Sequence, residues 1–498
     1  MNVCSYHLQE AGATPDQELS YALATAIGIL EYVKKNKISH ELFARIVGRI
    51  SFFVNSGMRF LTETSKMIAF TELWDEICKK RFGIKEEKFR RFRYGMQVNS
   101  LGLTESQPEN NVYRILIQML PVVIAKNSRA RAVQLPAWNE ALGLPRPWDQ
   151  QWSLRLQQIM AFETDLLEFN DIFEGSKVIK KKVKELKTMA KEELKKIDKM
   201  GGLKEAIENG YMKKKLVESQ TKRQKNIEKG LQKVVGVNCF TEGEKSPLME
   251  SVDGGFMKAD KMAELNQIKN VKEWKESRNP IEINNLLEKL KAYAQNGKNI
   301  MDISIKCAHA GVTTGEWGEV MRNVFGEYRA PTGIVSSTVN YSKNDFSQLG
   351  ILQKKVGKIT KILGRRPKML VGKPGLDGHS NGAEQIAVRA RDVGLEVVYE
   401  GIRSSPEQLA ITCVEEGIHI VGLSILSGSH LFLVKEFFKL LKKVNLDKLP
   451  VVVGGIIPPI DEEKLKKIGV SAVFTPKNFQ IFDIMSEIVS VIEKKYKK

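Results

Sequence analysis

The stretch GKPGLDGHSNGAEQ, residues 372–385, joins an apolar run to an amphipathic segment in the C-terminal third of the chain. The run that leads into it, KMLVGK, is the first of five, followed by LEVVYEG, IHIVGLS, PVVVGG and SAVFT. Each is short and rich in β-branched residues, as are strands buried on both faces of a parallel sheet. Helix-like segments begin near Asn381, Pro406, Ser429, Asp461 and Asn478. The alternation predicts a doubly wound, Rossmann-like α/β domain over residues 366–498.

Unusual residues follow three of these strands, at the edge where doubly wound sheets bind ligands. They are Asp377, His379, Gly382, Ser424, Leu426, Gly454 and Gly455. Asp377 is placed to accept a hydrogen bond from one ring nitrogen of His379, which would leave the other nitrogen free to bind a metal. A purely structural turn is one alternative. A nucleotide site is another, although no G-x-G-x-x-G motif opens a helix here.

The motifs LDGHSNG, SILSGS and VVVGG, in this order and at these spacings, resemble the cobalamin-binding domain of B12-dependent mutases. The resemblance implies that His379 is the lower axial ligand of cobalt and that Asp377, hydrogen-bonded to Lys373, tunes it. It also implies that Ser424 meets the displaced base and that a slot for the nucleotide tail lies beside it. The implied cofactor contacts in this domain are Lys373, Asp377, Gly378, His379, Gly382, Ser424, Leu426, Gly454 and Gly455.

Four strand–loop–helix units occupy the N-terminal part of the chain, with the rhythm of a TIM-type (β/α)8 barrel. In such barrels the chemistry is carried by loops that follow strands. Polar candidates cluster at these places. They are Tyr6, His7, Glu10, Arg93, Gln97, Asn99, Asn139 and Glu140. Taken singly, each could equally be a loop residue or a helix cap.

The segments SYHLQEAGATP, VNSLGLTESQPENNVYR and RAVQLPAWNEALGLPRPWDQQWS resemble adenosylcobalamin-dependent acyl-CoA mutases of the methylmalonyl-CoA mutase family. Within that family they are most similar to ethylmalonyl-CoA mutases. Methylmalonyl enzymes more often have His-Thr-Asn where this chain has Gln134, Leu135 and Pro136. The resemblance therefore predicts conversion of ethylmalonyl-CoA to methylsuccinyl-CoA, with conversion of methylmalonyl-CoA to succinyl-CoA as the alternative.

The resemblance implies a radical isomerase, in which the cobalt–carbon bond breaks homolytically and the 5′-deoxyadenosyl radical takes a hydrogen from the substrate. The thioester carbonyl group then migrates to the adjacent carbon. His7 would hydrogen-bond that carbonyl, and Tyr6 would pack near the adenosyl group and help drive homolysis. Gln97 and Arg93 would line the substrate pocket. The implied cofactor contacts in this part of the chain are Glu10, Glu140 and Ala141.

The predicted domains are the C-terminal half of a mutase barrel (1–175), a helical extension (176–330), a linker (331–365) and the cobalamin-binding domain (366–498). Within the extension, PIEINN (280–285) has a strand-like pattern. Eight strands close such a barrel, so we expect that the chain lacks the N-terminal half. A start assigned too late, a separate polypeptide or a decayed remnant would each explain that.

An incomplete barrel makes an inactive cobalamin-binding fragment the rival function. A corrinoid methyltransferase partner is a third possibility, but it leaves the YHLQEAGA and NEALGLP loops unexplained. The predicted partners are an acyl-CoA substrate and either a second copy of the chain, forming a homodimer, or an N-terminal barrel half. Neither a nucleic acid nor a membrane is among them.

Composition supports this choice of partners. The net charge of +19 comes mostly from Lys, which alternates with Glu in stretches such as KKKVKELKTMAKEELKKIDK, as on solvated helix faces rather than on nucleic-acid-binding surfaces. No apolar stretch approaches the roughly 20 residues of a membrane span, and no signal peptide is visible. The five cysteines have no paired spacing, so we expect a cytoplasmic enzyme with free thiols.

Overall fold

The structure, a computed structural model, describes residues 1–244, 246, 248, 255, 257, 261–326, 343–376, 381–478 and 480–496. The strands are β1 (Asn2–Cys4), β2 (Ser51–Ser56), β3 (Tyr94–Val98), β4 (Ala132–Gln134), β5 (Lys368–Gly372), β6 (Glu396–Tyr399), β7 (Ile420–Ile425), β8 (Val451–Gly455) and β9 (Ala472–Phe474). The first ten helices are α1 (Tyr6–Glu10), α2 (Pro15–Lys35), α3 (His40–Val47), α4 (Phe60–Lys80), α5 (Glu87–Arg90), α6 (Asn111–Val123), α7 (Pro147–Phe162), α8 (Lys177–Lys199), α9 (Leu203–Glu208) and α10 (Tyr211–Glu228). The others are α11 (Lys261–Ser277), α12 (Pro280–Gln295), α13 (Met301–His309), α14 (Thr314–Phe325), α15 (Lys343–Leu363), α16 (Asn381–Asp392), α17 (Pro406–Glu415), α18 (His430–Lys443), α19 (Pro459–Ile468) and α20 (Ile481–Tyr496).

The N-terminal sheet is parallel, with the strand order β1-β2-β3-β4. Helices connect successive strands, because parallel neighbours need a crossover rather than a tight turn. This confirms an α/β architecture with a parallel sheet. A closed barrel is not confirmed, since among the described strands β1 and β4 each pair on one side only.

One face of the N-terminal sheet packs against α2, α4, α6 and α8 in a single hydrophobic core. The strand residues in that core are Val3, Phe52, Val54, Tyr94, Met96 and Val98. Because successive side chains of a strand point to opposite faces, Phe53, Asn55 and Gln97 lie on the face turned away from these helices. That second face is the one free to take part in binding.

The C-terminal sheet is also parallel, with the order β6-β5-β7-β8-β9, as the sequence predicts for a doubly wound domain. Both faces are covered. Met369 and Val452 lie in a core with α15, α16 and α20, while Leu370 and Val453 lie in a second core with α17, α18 and α19. Burial on both faces explains the near-continuous apolar runs of these strands.

Residues 258–331 form a compact unit of their own, built from α11 to α14. Its small core contains Leu290, Ile303 and Cys307. The strand-like interpretation of residues 280–285 is wrong, because they form the first turns of α12. There the Asn279 side chain accepts hydrogen bonds from the backbone N–H groups of residues 281 and 282 and so starts the helix.

Residues 1–257 and 332–498 form the other compact unit. The domain boundaries proposed from the sequence at residues 175, 330 and 365 stay predictions. Within the described parts of the chain, no helix is both long enough and apolar enough to cross a membrane.

Candidate functional site

Helix α1 lies at the carboxyl edge of the N-terminal sheet and carries Tyr6, His7 and Glu10. The backbone N–H of Ser5 donates to the carbonyl of Phe53 at 2.8 Å, so the chain stays beside β2 until α1 begins. The Tyr6 ring meets the Phe53 ring edge-on, with 5.5 Å between centroids, and the His7 ring at 4.9 Å. Partial burial and the nearby Glu10 carboxylate raise the pKa of Tyr6. The phenol is therefore neutral at physiological pH and can donate a hydrogen bond.

A row of amide side chains crosses the second face of this sheet. Asn55 pairs in register with Gln97, and Gln97 pairs with Gln134. The Gln97 side chain donates from Nε2 to Glu10 Oε1 at 3.3 Å, which joins the row to α1. Asn55 is fully buried, and its side-chain amide has no hydrogen-bond partner within the part of the chain that the structure describes. A buried amide without partners is costly, so this residue marks the face as a candidate binding surface.

Arg93 does not belong to this group. It precedes β3 at the amino edge of the sheet, and four residues of extended chain, about 13 Å, separate it from Gln97. Its guanidinium donates to the carbonyls of Gly48 and Lys88, at 2.9 Å each. We therefore correct the prediction that Arg93 lines the substrate pocket. The direction of the strand places it at the opposite edge, where it joins the C-terminal end of α3 to α5.

The loop after β4 carries Glu140 and is held by the buried carboxylate of Asp149. That carboxylate accepts hydrogen bonds from Trp138 Nε1 at 2.9 Å, from Asn139 Nδ2 at 2.8 Å and from the backbone N–H of Arg146 at 2.8 Å. Burial raises the pKa of Asp149, but these hydrogen bonds outweigh burial and lower it below its ordinary value. A charged Asp149 therefore fixes the loop directly beside Glu140.

Lys373 and Ser424 contact each other at the point where the strand order of the C-terminal sheet reverses. The chain winds outward from the β5–β7 pair on both sides, which makes the carboxyl ends of these two strands the topological switch point. Lys373 is fully buried there, and its Nζ donates to both the carbonyl and the Oγ of Ser424, at 3.3 Å each. Doubly wound sheets bind their ligands at this point.

Small residues leave space beside this pair. Gly454 lies in register with Ser424, and among the described residues a Cβ atom added to Gly454 would meet only one backbone oxygen, at 3.9 Å. A Cβ atom added to Gly382 would meet no atom of the described part of the chain within 4 Å. Gly455 differs, because its φ is +154° and an added Cβ atom would lie 1.8 Å from the carbonyl oxygen of Ile425. The open positions fit the flat tail of a large cofactor, whereas Gly455 allows two strands to approach closely.

Three of the predicted cofactor contacts, Asp377, Gly378 and His379, lie outside the described residues. The segment that contains them follows β5, one of the two strands at the switch point. Leu426 directly follows β7 and is partly buried. In the ranges that the structure describes, no group of three or more His, Cys, Asp or Glu residues could hold a metal ion.

The carboxyl edges of the two sheets face each other. Ala141, after β4, lines one small cavity of about 10 Å³ together with Ile457 and Pro458, after β8. Lys477, after β9, forms an ion pair of 3.0 Å with Glu105, which lies in the loop after β3. A group bound at the switch point would therefore face the loops that carry the N-terminal candidates.

A cluster of buried charges at the N-terminal sheet was not predicted from the sequence. Glu18, Glu63 and Lys66 have side chains that are at most 1% exposed, and Lys66 lies within 2.6 Å of both carboxylates. The sequence does contain a pattern that indicates this cluster. Glu63 and Lys66 are spaced so that they share a face of α4 with the buried residues Phe70 and Trp74. Charged residues in the apolar phase of a helix indicate a buried ion pair.

A second buried pair joins the first turns of two helices of the C-terminal domain. His430 begins α18 after β7, Asp461 lies in the first turn of α19 after β8, and His430 Nε2 is 3.0 Å from Asp461 Oδ2. Burial raises the pKa of Asp461, but its hydrogen bonds with Lys464 and His430 outweigh burial and lower it. The pair therefore holds together the starts of α18 and α19, the helices that follow the paired strands β7 and β8.

Comparison with known families gives matches over both parts of the chain. The model described as methylmalonyl-CoA mutase matches residues 1–327, and the model described as a B12 binding domain matches residues 367–478. The chain is 55% identical to the ethylmalonyl-CoA mutase of Methylorubrum extorquens and 54% identical to that of Cereibacter sphaeroides. These matches cover 99% of this chain and 71% and 74% of the respective relatives.

More distant relatives also match over the whole chain. The methylmalonyl-CoA mutase of Rhizobium meliloti is 30% identical, over 99% of this chain and 68% of its own length. Among solved structures, a cobalamin-binding protein from Desulfitobacterium hafniense matches with 22% identity over 42% of this chain and 90% of its own, at a TM-score of 0.23. The sequence matches, over 99% of this chain and 71% and 74% of the two ethylmalonyl-CoA mutases, do not by themselves bear out the expectation of a missing N-terminal barrel half.

Proposed function

This chain belongs to the methylmalonyl-CoA mutase family, and we propose that it is an isomerase that converts ethylmalonyl-CoA to methylsuccinyl-CoA with adenosylcobalamin as its cofactor. One observation carries the choice of substrate. The chain is 55% and 54% identical to two ethylmalonyl-CoA mutases, against 30% to a methylmalonyl-CoA mutase, in each case over 99% of its length. Within one family, enzymes that share a substrate are expected to be more similar in sequence than enzymes that differ in substrate.

Adenosylcobalamin would supply a carbon-centred radical through homolysis of its cobalt–carbon bond. The C-terminal domain would hold the cofactor, with His379 as the proposed ligand of its cobalt and Asp377 as the partner of His379. Support comes from the switch point, where Lys373 donates to Ser424 and Gly454 leaves open space on the same face of the sheet. Leu426, Gly378, Gly382 and Gly455 complete the proposed set of contacts.

The N-terminal part would bind the acyl-CoA and position its reacting carbons. We assign His7 the hydrogen bond to the thioester carbonyl and Tyr6 a place beside the adenosyl group, with Glu10, Glu140 and Ala141 near the adenosyl ribose. The amide row supports a polar ligand on this face. Gln97 is held by Glu10, whereas the buried amide of Asn55 has no hydrogen-bond partner among the described residues and could bind a ligand. The contacts between the two carboxyl edges would exclude water from a radical reaction.

The deciding experiment measures turnover by the purified chain supplied with adenosylcobalamin and either ethylmalonyl-CoA or methylmalonyl-CoA. We expect methylsuccinyl-CoA as the product and a kcat/KM at least about tenfold higher for ethylmalonyl-CoA, a difference of about 1.4 kcal/mol in transition-state binding. A higher kcat/KM for methylmalonyl-CoA would overturn the choice of substrate. Cobalamin binding without any turnover would favour the rival function, a cobalamin-binding protein that is not an enzyme.

The axial ligand is tested separately by the visible spectrum of bound cobalamin. His379→Ala should abolish the base-off, histidine-bound spectrum. His309→Ala, which changes an exposed histidine on α13, should leave the spectrum unchanged. An unchanged spectrum for His379→Ala would refute the assignment, whether or not the enzyme turns over.

We also propose a (β/α)8 barrel for the N-terminal part of the working enzyme, supported by the order β1-β2-β3-β4 and its helical crossovers. A closed barrel built on these strands would need four more. A homodimer and pairing with an N-terminal barrel half stay predictions. Light scattering of the purified protein, followed by electron microscopy of the particle, would count its chains and strands.

A further inference from the structure

A buried ammonium group lies beneath α1, surrounded by oxygen atoms. Lys66 Nζ is 2.5 Å from Glu18 Oε2 and 2.6 Å from Glu63 Oε2. The same atom donates to the carbonyl of Asn55 at 2.7 Å and to Gln9 Oε1 at 2.9 Å. These residues come from three helices and one strand, so a single charged atom holds α1, α2, α4 and β2 together.

The charges of this cluster depend on one another. Burial lowers the pKa of Lys66, but the Glu18 and Glu63 carboxylates outweigh burial and raise it, so the ammonium stays charged. Burial raises the pKa of Glu18 to about 7, although Lys66 acts against the shift. Removing one member of such a cluster leaves a charge buried without compensation, which is strongly unfavourable. The arrangement of the four elements around Lys66 is therefore firmly set.

Gln9 connects α1 to the cluster. Its Oε1 accepts a hydrogen bond from Lys66, and its Nε2 donates to Glu63 Oε1 at 3.0 Å. Ser5, directly before α1, donates from Oγ to Glu18 Oε1 at 3.2 Å. A helix of five residues has little stability of its own, so contacts like these decide where it lies.

The chain after β2 passes close to this connection. A Cβ atom added to Gly57 would lie 3.1 Å from Gln9 Nε2 and 3.2 Å from Glu63 Oε1. Both distances are shorter than ordinary van der Waals contact. A larger residue at position 57 would therefore press on both atoms of the Gln9–Glu63 hydrogen bond.

We propose that Lys66, Glu18 and Glu63, acting through Gln9, are positioning residues that hold the catalytic face of α1 at the carboxyl edge of the sheet. The inference rests on the proposed function, since α1 carries the residues assigned to the thioester and to the adenosyl group. A displacement of about 1 Å at a reacting centre can cost on the order of 100-fold in rate. The cluster would thus control turnover without touching the substrate.

The test uses hydrogen exchange of the cofactor-free full-length protein together with steady-state kinetics of the loaded protein. Gln9→Leu removes both hydrogen bonds but leaves the ion pairs of Lys66 in place. We expect amides of residues 8–13 to exchange at least about tenfold faster, while those of α2 and α4 change less than about twofold. We also expect kcat to fall about 10- to 100-fold, with KM within about threefold of the parent value.

Two further variants separate positioning from general destabilisation. Tyr94→Phe removes a buried hydrogen bond to the carbonyl of Ser128, on the same sheet but away from α1, and should change neither α1 exchange nor kcat. The double variant Gln9→Glu with Glu63→Gln exchanges an amide for a carboxylate and keeps the formal charge of the cluster. It should restore slow α1 exchange, whereas Gln9→Glu alone, which adds a buried negative charge, should not.

Each outcome decides the inference. Unchanged α1 exchange in Gln9→Leu, or equal loosening of α1, α2 and α4, would overturn it. If Gln9→Leu failed to fold, the comparison of Gln9→Glu with the double variant would decide, and failure of the double variant to restore α1 exchange would overturn the inference. Selective loosening of α1 in a protein that turns over neither acyl-CoA would support the positioning inference and refute the proposed function.

Discussion

Gly454 and Gly455 are neighbours at the end of β8, and the structure predicts different effects when each is replaced with alanine. Gly455→Ala should affect stability, and Gly454→Ala should affect cofactor binding. A methyl group on Gly455 would lie 1.8 Å from the carbonyl oxygen of Ile425, on a backbone whose φ is +154°. Backbone strain of about 1–3 kcal/mol adds to an overpacking cost of about 1–3 kcal/mol. Gly455→Ala should therefore destabilise the β7–β8 pair by about 2–6 kcal/mol.

Gly454→Ala should leave the fold intact. Within the described ranges the added methyl group would meet only one backbone oxygen, at 3.9 Å, so the variant should be within about 1 kcal/mol of the parent in stability. The methyl group would, however, occupy the space proposed for the cofactor tail beside Ser424. We expect at least about tenfold weaker cobalamin binding, equivalent to about 1.4 kcal/mol.

Hydrogen exchange of the β7 and β8 amides, in the cofactor-free protein, measures the first effect, and titration with cobalamin followed by visible absorbance measures the second. Gly350→Ala serves as the control, since it adds a methyl group on α15 that has no described atom within 4 Å. Parental exchange in Gly455→Ala would refute the steric argument. Parental cobalamin affinity in Gly454→Ala would show that the tail does not lie against this strand.

Three further substitutions give distinct results. The pKa of Glu18 is raised from 4.5 to about 7 in the folded protein. The free energy of unfolding of the parent, relative to that of Glu18→Gln, should therefore be greatest below pH 4.5 and should fall by up to about 3 kcal/mol as the pH rises through 7. Thermal melts across that pH range measure this difference. Arg93→Leu should leave KM within about twofold and cost about 1 kcal/mol in chemical denaturation, because its hydrogen bonds are structural. His430→Leu removes a hydrogen bond to buried Asp461 and should cost about 1–3 kcal/mol in urea unfolding of the C-terminal domain, while a cost near zero would show that the pair is dispensable.

The C-terminal domain could be predicted from the sequence because its strands are buried on both faces. A strand such as β7 (IVGLSI) needs apolar residues at nearly every position, which gives an apolar run that stands out from its helical surroundings. The parallel order of the strands follows from the alternation with helices. By contrast, residues 280–285 match a strand pattern over too short a window, and Asn279 and Pro280 start a helix there.

The candidate site residues could be predicted from the sequence only where they lie at or just after the end of a predicted strand. Tyr6 and His7 follow a strand directly, and Lys373 and Ser424 end strands of the doubly wound sheet, so strand direction alone places them at carboxyl edges. Arg93 was misplaced because only the boundaries of β3 show that it precedes the strand. A difference of a few residues along the chain is the difference between two edges of a sheet.

The sequence by itself determined the family, the alternation of strands and helices, and the order of motifs along the chain, because these depend on local residue patterns. Only the tertiary structure brought Gln9 from α1, Glu18 from α2, and Glu63 and Lys66 from α4 around one buried ammonium group. Only the structure set the carboxyl edges of the two sheets against each other, through contacts such as Lys477 with Glu105. Such contacts join residues dozens to hundreds of positions apart, and their partners are chosen by the packing of whole elements rather than by any local pattern.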